Sequence, residues 1–525
     1  MFKRRTGARV EATPPRRSWV RLVILIVAAL GGMATIFSWS VASPSGAAPD
    51  EGFHDTSIWC PPQSWSQECQ TRISDTGDLQ VAVPKEVAAA QSCFAFHAEV
   101  SGHCVLGLSG EEVWEGHFNK GTYPGGFYDV MHLFVGSDVY SSVVVMRCFN
   151  GVLALGLFLV LAWLLPRDGR RLMAWSLFAV SVPLLIYLVC STNPSSWSIT
   201  GMVVGWFGAY AAFASSTLAR QVVSGALAVV GAVMAAMARS DSGAYVALAG
   251  LAVVIVYFAT LRKRVWMVAI PGAMVVIGLI GFFSGGQTSV LSSGLAETSH
   301  TGSWGSFMYN LAHLPQFMVD YSAGWFGLNW LDTPMPPVVW VSVVAVSVAL
   351  VFLGLRWMDW RKGLVLVGML LVYMGLPLLI LQRNGDLMGS NVQPRYVLPL
   401  VPLILAMALW RPRRGGAPSL TWVQTGLMYV CVVVAQAVAL HVQLRRFVTG
   451  TDVTGFNLNR QVEWWHPGPS PMATWLIGAV GFALLSALLF MVRTGRGATP
   501  TVDRDAAALA KGTDECLLQR SVDST

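Results

Sequence analysis

The chain has 525 residues, of which 54% are hydrophobic and only 12% are charged. Because an ordinary soluble domain has about a quarter of its residues charged, this composition excludes a soluble globular enzyme. Apolar runs long enough to cross a bilayer recur along nearly the whole length, which also excludes a disordered chain, a coiled coil and a small disulfide-stapled module. The composition predicts an all-α polytopic membrane protein.

The formal net charge is +7, so the positions of the 35 lysines and arginines matter more than their sum. They cluster at the ends of the apolar runs and leave no basic groove, so we expect no nucleic-acid partner. Because short, positively charged loops stay in the cytoplasm, the clusters predict that both termini are cytoplasmic. The clusters lie at 3–21, 167–171, 262–264, 356–362, 411–414 and after 493.

About twelve membrane-spanning segments are predicted, with an error of one either way. The first has the basic flank of a secretory signal, but its apolar run is too long for one, which favours a retained anchor. In chain order the segments are 20–42, 141–165, 172–192, 198–214, 222–238, 244–261, 265–283, 336–355, 363–381, 396–410, 420–440 and 472–492.

These segments divide the chain into a basic cytoplasmic N-terminus at 1–19, a transmembrane domain at 20–492 and a polar, disordered cytoplasmic tail at 493–525. The cytoplasmic loops are short, so chemistry is expected on the other side of the membrane. The long external loops are predicted at 43–140, 284–335 and 441–471.

Four of the eight cysteines lie in the first external loop, which faces the oxidising side of the membrane: Cys60, Cys69, Cys93 and Cys104. Two disulfides with three alternative connectivities are the natural interpretation. We expect neighbouring pairs, Cys60 with Cys69 and Cys93 with Cys104. A metal site is disfavoured because no CxxC spacing is present.

Two carboxylates and an imidazole follow the first span within five residues, as Asp50, Glu51 and His54. A carboxylate beside a low-dielectric boundary can have its pKa shifted to suit a general base acting on a hydroxyl. The alternative is a solvated turn in which Asp50 caps the next helix.

Arg147 lies within the second span, where a charged side chain is costly. Such a residue usually faces the protein interior or an aqueous cavity, which makes it a candidate for substrate binding. The alternative is an arginine that reaches the membrane interface.

Other external helix ends carry Asn193, Arg239 with Asp241, and Arg395 with Tyr396. Arginine forks match phosphate oxygens, so Arg239 and Arg395 are predicted to bind a lipid-linked phosphate. Each could instead be an interfacial anchor, and Arg239 and Asp241 could neutralise each other.

Asp332 lies in an aromatic segment at 325–336, together with Trp325 and Trp330. Aromatic side chains suit the headgroup region and also stack on sugars, so this segment is a further candidate for substrate binding.

The sequence contains no Walker A loop, no GxGxxG after a strand, no HExxH and no serine nucleophile elbow. Nucleotide hydrolysis, nicotinamide binding and zincin chemistry therefore have no local support. Since nucleotide sugars do not reach the outer face, a transferase there would use a polyprenyl-phosphate sugar.

Five ordered motifs resemble family twenty-one forty-two of the domains of unknown function, bacterial membrane proteins that are similar to GT-C glycosyltransferases. The motifs lie at 49–54, 123–128, 193–194, 327–334 and 393–396. The resemblance implies a bacterial plasma-membrane protein with a GT-C-like helical bundle and an acidic catalytic residue in the first external loop. That position falls on Asp50 or Glu51, and Asp50 is favoured.

The resulting hypothesis is an inverting transfer of a sugar from a polyprenyl-phosphate donor to a cell-envelope glycan or lipid acceptor. Asp50 would take the acceptor proton, and Glu51 and His54 would orient it or hold a divalent metal, which is optional. Arg239 and Arg395 would stabilise the departing phosphate.

Two alternatives from other classes are a transporter or flippase of a lipid-linked glycan and a non-catalytic assembly scaffold. A transporter should show repeats and polar or broken helices at the midplane, whereas this sequence places its polar groups at one face. A scaffold should tolerate substitution around Asp50.

Overall fold

The structure is a computed structural model that describes residues 16–62, 64–284, 302–390, 392–412 and 415–492. Most of the predicted N-terminal segment 1–19 and the whole predicted tail 493–525 lie outside the described residues.

The described residues form a mostly helical bundle. In chain order the helices are α1 (Arg16–Ser40), α2 (Glu51–Trp59), α3 (Trp65–Glu68), α4 (Lys85–Ala89), α5 (Gln91–Phe94), α6 (Gly126–His132), α7 (Val139–Leu164), α8 (Arg167–Phe178), α9 (Ile186–Val189), α10 (Ser195–Ala214), α11 (Leu218–Ala236), α12 (Ser240–Lys263), α13 (Ala269–Ser284), α14 (Trp304–Val319), α15 (Pro337–Leu355), α16 (Trp360–Asn384), α17 (Val401–Leu409), α18 (Trp422–Val448), α19 (Pro471–Ser486) and α20 (Leu488–Val492).

Within the described ranges, ten helical segments are long and apolar enough to cross a membrane. An eleventh crossing results if α8 and the helical segment Ser181–Val189, which meet at a bend of 90°, form one broken span. The predicted tenth span, 396–410, is instead a shorter apolar helix over Leu398–Leu409. Twelve residues extend only about 18 Å as a helix, which is less than the hydrocarbon thickness of about 30 Å. Among the described residues the count is therefore eleven if the bent pair is one span, which lies within the stated error of the predicted twelve, and ten if it is not.

Glycines bring several spanning helices into backbone contact. A Cβ on Gly31 of α1 would lie 2.5 Å from the carbonyl oxygen of Gly481 in α19, and one on Gly201 of α10 would lie 2.5 Å from that of Gly231 in α11. Small residues allow such close approach, and van der Waals contact is the main attraction between helices in lipid. The sequence thus fixes which faces of these helices meet.

The long segment between α1 and α7 contains a small sheet that the all-α expectation missed. It consists of β1 (Thr71–Ile73), β2 (Leu79–Pro84) and β3 (Glu112–Glu115), paired antiparallel in the order β1-β2-β3. Val81 and Val83 of β2 are buried, whereas β1 is exposed along its length. Only β2 shows the alternation expected of a half-buried strand, which is why the sequence signal is weak.

Both expected disulfides are present, Cys60 with Cys69 and Cys93 with Cys104. They close short loops of nine and eleven residues in this extramembrane segment. The predicted pairing of neighbouring cysteines is confirmed.

Two boundaries differ from expectation. The predicted third loop, 441–471, begins later in the structure because α18 continues to Val448. Gln443 and Arg446, in the last turns of this helix, are buried, and their hydrogen bonds offset the cost of burying polar groups. The predicted second loop, 284–335, contains α14, which packs a buried face of Asn310, Leu314 and Phe317 at helical spacing.

Side-chain contacts bring the loops after α1, before α10, before α12 and after α16 together at one end of the bundle. Trp330, from the segment before α15, also reaches this end and donates from Nε1 to the carbonyl oxygen of Gly46 at 2.9 Å. This end of the bundle contains the predicted site residues.

Candidate active site

Asp50 occupies the residue just before α2 and has a left-handed backbone conformation, with φ 59° and ψ 15°. Its side chain makes no capping hydrogen bond to α2, so Asp50 does not have the capping role that was the alternative prediction. Left-handed aspartate is uncommon, and residues held in sparsely populated conformations tend to occur at functional sites.

The carboxylate of Asp50 pairs with Arg395. Oδ2 of Asp50 accepts from Nη2 of Arg395 at 2.6 Å, and Nη1 of Arg395 donates to the carbonyl oxygen of Pro49 at 3.0 Å. The same carbonyl accepts from Nδ2 of Asn193 at 2.9 Å. Asn193 therefore positions the Pro49–Asp50 segment.

The pair is asymmetric in exposure. The Asp50 side chain is 42% exposed, whereas that of Arg395 is 2% exposed. Desolvation raises the pKa of Asp50, but the charge of Arg395 and the hydrogen bond from it outweigh this effect and hold the pKa below its usual value. Asp50 is therefore an accessible, ionised carboxylate at neutral pH.

A second arginine lies beside this pair. Arg239 makes a bidentate contact with Asp241, from Nε to Oδ1 at 3.0 Å and from Nη2 to Oδ2 at 2.7 Å. Arg239 and Asp241 therefore neutralise each other, which was one of the two alternatives for Arg239. The ring of Tyr396 lies 5.1 Å from both the Arg239 and the Arg395 guanidinium carbons, and Tyr123 lies 5.8 Å from that of Arg239. Aromatic rings thus join the two arginines by cation–π contacts.

Glu51 turns away from Asp50 into the protein and pairs with Arg147. Both carboxylate oxygens of Glu51 lie 2.9 Å from Nη2 of Arg147, and the two side chains are 0% and 2% exposed. The remaining acceptor sites of Glu51 bind the hydroxyl of Thr192 at 2.7 Å and the amide of Ala48 at 2.8 Å.

The guanidinium of Arg147 also has several hydrogen-bond partners, because it donates to the carbonyl oxygens of Ser43 and Pro44, both at 2.8 Å, in addition to Glu51. This network ties α7 to the start of α2. The predicted catalytic role of Glu51 and substrate-binding role of Arg147 have no support in this geometry, since neither side chain has a free, accessible polar atom.

Asp55 belongs to the same buried cluster and was missed by the sequence analysis. Its two side-chain oxygens are buried and make no hydrogen bond of standard geometry. Burial first, and then the charge of Glu51, raises its pKa, against smaller opposing effects of Thr192 and Arg147. Its i, i+4 spacing from Glu51 on α2 was the available signal, because such residues share a helix face.

His54 is also buried, with Nδ1 2.9 Å from the hydroxyl of Tyr128. Desolvation, aided by the charges of Arg239 and Arg395 and opposed by Asp50, lowers the pKa of His54 to about 3. The imidazole is therefore neutral at physiological pH.

The residues predicted to hold an optional divalent metal do not converge. Glu51 is saturated by Arg147, and Nδ1 of His54 faces Tyr128. Among the described residues no group of three or more histidines, cysteines or acidic residues is arranged to hold a metal ion. These side chains do not fit the predicted site.

Asp332 lies deeper in the same end of the bundle and pairs with Arg446 at 2.8 Å, with the side chains 5% and 0% exposed. Arg446 also donates to the carbonyl oxygens of Phe94 and Val100 in the disulfide-closed loop. Arg446 thus links three chain segments, and the burial of Asp332 gives no support to the predicted substrate contact.

The fold and the site together define a polytopic membrane protein with charged side chains gathered at one end of a helical bundle. The profile of the family described as predicted membrane protein (DUF2142) matches residues 33–404. The chain belongs to that family, as its motifs predicted. No curated protein matches the chain.

Among solved structures, the arabinosyltransferase EmbB from Mycobacterium smegmatis is similar to the chain, with 14% sequence identity and a TM-score of 0.29. The match covers 93% of this chain and 43% of EmbB, so the chain spans less than half the length of that protein. A TM-score of this size does not establish a common fold.

Proposed function

We propose that this protein is a membrane glycosyltransferase of the GT-C type, which transfers a sugar from a polyprenyl-phosphate donor to a cell-envelope glycan or lipid acceptor. The observation that carries the proposal is the contact between the exposed carboxylate of Asp50 and the buried guanidinium of Arg395. It combines a proton acceptor and a phosphate-binding group in one site.

In the proposed reaction the acceptor hydroxyl oxygen attacks the anomeric carbon of the donor. The bond from that carbon to the phosphate oxygen breaks, its electron pair leaves with the lipid phosphate, and the hydroxyl proton passes to Asp50. Arg395 stabilises the charge that develops on the phosphate. Attack opposite the leaving group inverts the anomeric centre.

The ion pair suggests how donor binding activates the base. While Arg395 faces Asp50, the carboxylate has a low pKa and is a weak base. A donor phosphate that binds Arg395 competes with Asp50 for the same guanidinium and raises the pKa of the carboxylate. Arg239 already forms an ion pair with Asp241, so we propose that Arg395 is the main arginine that binds the phosphate.

Charge supports an external location of the site. The helix α7 runs from the site end at Val139 to Leu164, and the basic cluster 167–171 follows at the opposite end. By the positive-inside rule, this cluster favours a cytoplasmic location of that opposite end and an external location of Asp50. Only a donor already moved across the membrane could reach it, which favours a lipid-linked sugar.

The arrangement favours a transferase over the transporter alternative, because the charges of Asp50, Arg239 and Arg395 meet at one end of the bundle. The test is transfer from a panel of radiolabelled polyprenyl-phosphate sugars in right-side-out and inverted vesicles, supplied with a crude envelope fraction as acceptor. Asp50→Asn should abolish transfer, and Asp75→Asn, the same change on the exposed β1–β2 turn, should not. Wild-type rates in Asp50→Asn, or transfer only at the cytoplasmic face, would contradict the proposal.

A further inference from the structure

A group of aromatic rings extends from the charged site along the first loop. The ring of Phe53 lies 5.0 Å from that of His117 and 5.8 Å from that of Tyr123, with interplanar angles of 56° and 54°. We call these three side chains the aromatic wall. His117 is exposed, and Phe53 and Tyr123 are half-buried.

The wall adjoins Asp50. Phe53 lies in the first turn of α2, and Asp50 is the residue just before that helix. At its other edge Tyr123 contacts the Arg239 guanidinium, which in turn lies against Tyr396. Tyr396 also contacts Arg395, the partner of Asp50, so the rings and the charged groups form one connected series of contacts.

The backbone that carries the wall is clamped in place. Oδ1 of Asn119 accepts from the amides of Gly121 and Tyr123 at 3.1 and 2.9 Å, and its Nδ2 donates to the carbonyl oxygen of Tyr123. The amide of Asn119 donates to the hydroxyl of Ser57 at 2.8 Å. The turn that bears Tyr123 is thus fixed to α2, which bears Phe53.

His54 supports the wall from the buried side. Its ring meets those of Phe53 and Tyr123 edge to face, with centroids 5.2 and 5.4 Å apart. Edge-to-face packing leaves the faces of the outer rings to other partners and holds their orientation. A rigid aromatic surface loses little conformational entropy when a ligand binds to it.

We propose that Phe53, His117 and Tyr123 form a stacking subsite for a saccharide ring beside Asp50. The C–H face of a sugar ring is apolar and packs on aromatic faces, while its hydroxyl groups need charged or polar partners, and this surface offers both. The inference rests on the proposed function for the identity of the ligand class. It assigns sugar recognition to side chains other than Asp50, Arg239 and Arg395.

Binding can be tested without any transfer reaction. Saturation-transfer difference NMR would be recorded on the full chain in nanodiscs with methyl glycosides of glucose, galactose, mannose and arabinose. Wild type should transfer saturation to the ring C–H protons of at least one glycoside. Phe53→Ala should weaken that glycoside's affinity by roughly two- to tenfold, and Phe53→Trp should retain it.

Phe456→Ala is the matched control. Phe456 is exposed on the loop after α18, and its ring stacks on that of His441 in α18 with the centroids 5.4 Å apart. No saturation of any glycoside by wild type, or equal saturation in Phe53→Ala, overturns the subsite. Binding lost in Phe53→Ala without transfer by wild type would retain the subsite and reject the transferase. Displacement of the glycoside by a short prenyl-phosphate sugar assigns the subsite to the donor, and simultaneous binding assigns it to the acceptor.

Discussion

Asp50 and Arg395 are separated by 345 residues and form an ion pair of 2.6 Å between Oδ2 and Nη2. Arg395 is held by buried contacts and Asp50 remains accessible, so the pair has one fixed partner and one that a ligand can reach. The ionisation of Asp50 therefore depends on its contact with Arg395, which holds the pKa of the carboxylate below its usual value.

Arg395→Gln should shift the acid limb of the transfer rate to higher pH. In the wild type, Arg395 overcomes desolvation and depresses the pKa of Asp50, so the carboxylate stays ionised until the pH falls below its ordinary value. Without the guanidinium, desolvation dominates and protonation occurs at higher pH. The measurement is the pH profile of the transfer rate, with the exposed Arg460→Gln as the control. An unmoved acid limb would show that Arg395 does not set the ionisation of Asp50.

Glu51→Gln should destabilise the protein more than Asp50→Asn does, because both partners of the Glu51–Arg147 pair are buried whereas Asp50 is 42% exposed. Removing the Glu51 charge leaves Arg147 buried without its counter-ion, and breaking a buried pair in this way costs about 3–5 kcal/mol. Thermal unfolding of the detergent-purified variants, followed by size-exclusion chromatography, measures the difference.

A charge-free pair provides the check on the Glu51 prediction. Glu51→Leu combined with Arg147→Met should recover part of the stability, because neither charge is then left buried alone. If Glu51→Gln unfolds at the wild-type temperature yet loses transfer, Glu51 acts in the reaction and the structural assignment fails.

His54 should make the free energy of unfolding, but not the transfer rate, depend on pH below neutrality. Its pKa falls from 6.5 to about 3 on folding, so between these values the unfolded chain binds the additional proton and stability increases with pH. In His54→Asn, which can keep an acceptor near Tyr128, that slope should disappear. Midpoints of thermal unfolding recorded from pH 4 to 8 test this, and an inflection of the transfer rate near 6.5 that His54→Asn removes would contradict a neutral His54.

Replacing Cys93 and Cys104 with serine should loosen the contacts of Arg446. The disulfide closes a loop that contains Phe94 and Val100, whose carbonyl oxygens bind Arg446, and a disulfide typically contributes about 2–4 kcal/mol. The variant should unfold at a lower temperature than wild type, and reductant should lower the wild-type midpoint by at least as much, because it also reduces the Cys60–Cys69 bond. Cys148→Ser, at a free thiol, serves as the control. Equal midpoints in all three proteins would refute the prediction.

Sequence patterns predicted the membrane class, the approximate positions of the spans, the family and the disulfide pairs. They also identified Asp50, Arg239 and Arg395 as candidate site residues, because few charged residues lie at the external ends of the apolar runs. Asp50 and Glu51 are adjacent in the chain, and only the family resemblance favoured Asp50 as the catalytic acid. Asp55 was missed. The small sheet escaped prediction because only its middle strand alternates between buried and exposed residues.

The sequence by itself determined which segments enter the bilayer, because hydrocarbon solvates apolar side chains over a length that can be counted along the chain. Only the tertiary structure decided the role of each charged residue. Glu51 and Asp50 differ by one position, yet the first faces Arg147 inside the protein and the second faces Arg395 at an accessible surface. Partner and solvent exposure set the ionisation and reactivity of a carboxylate, and both come from segments remote in sequence, which no local pattern encodes.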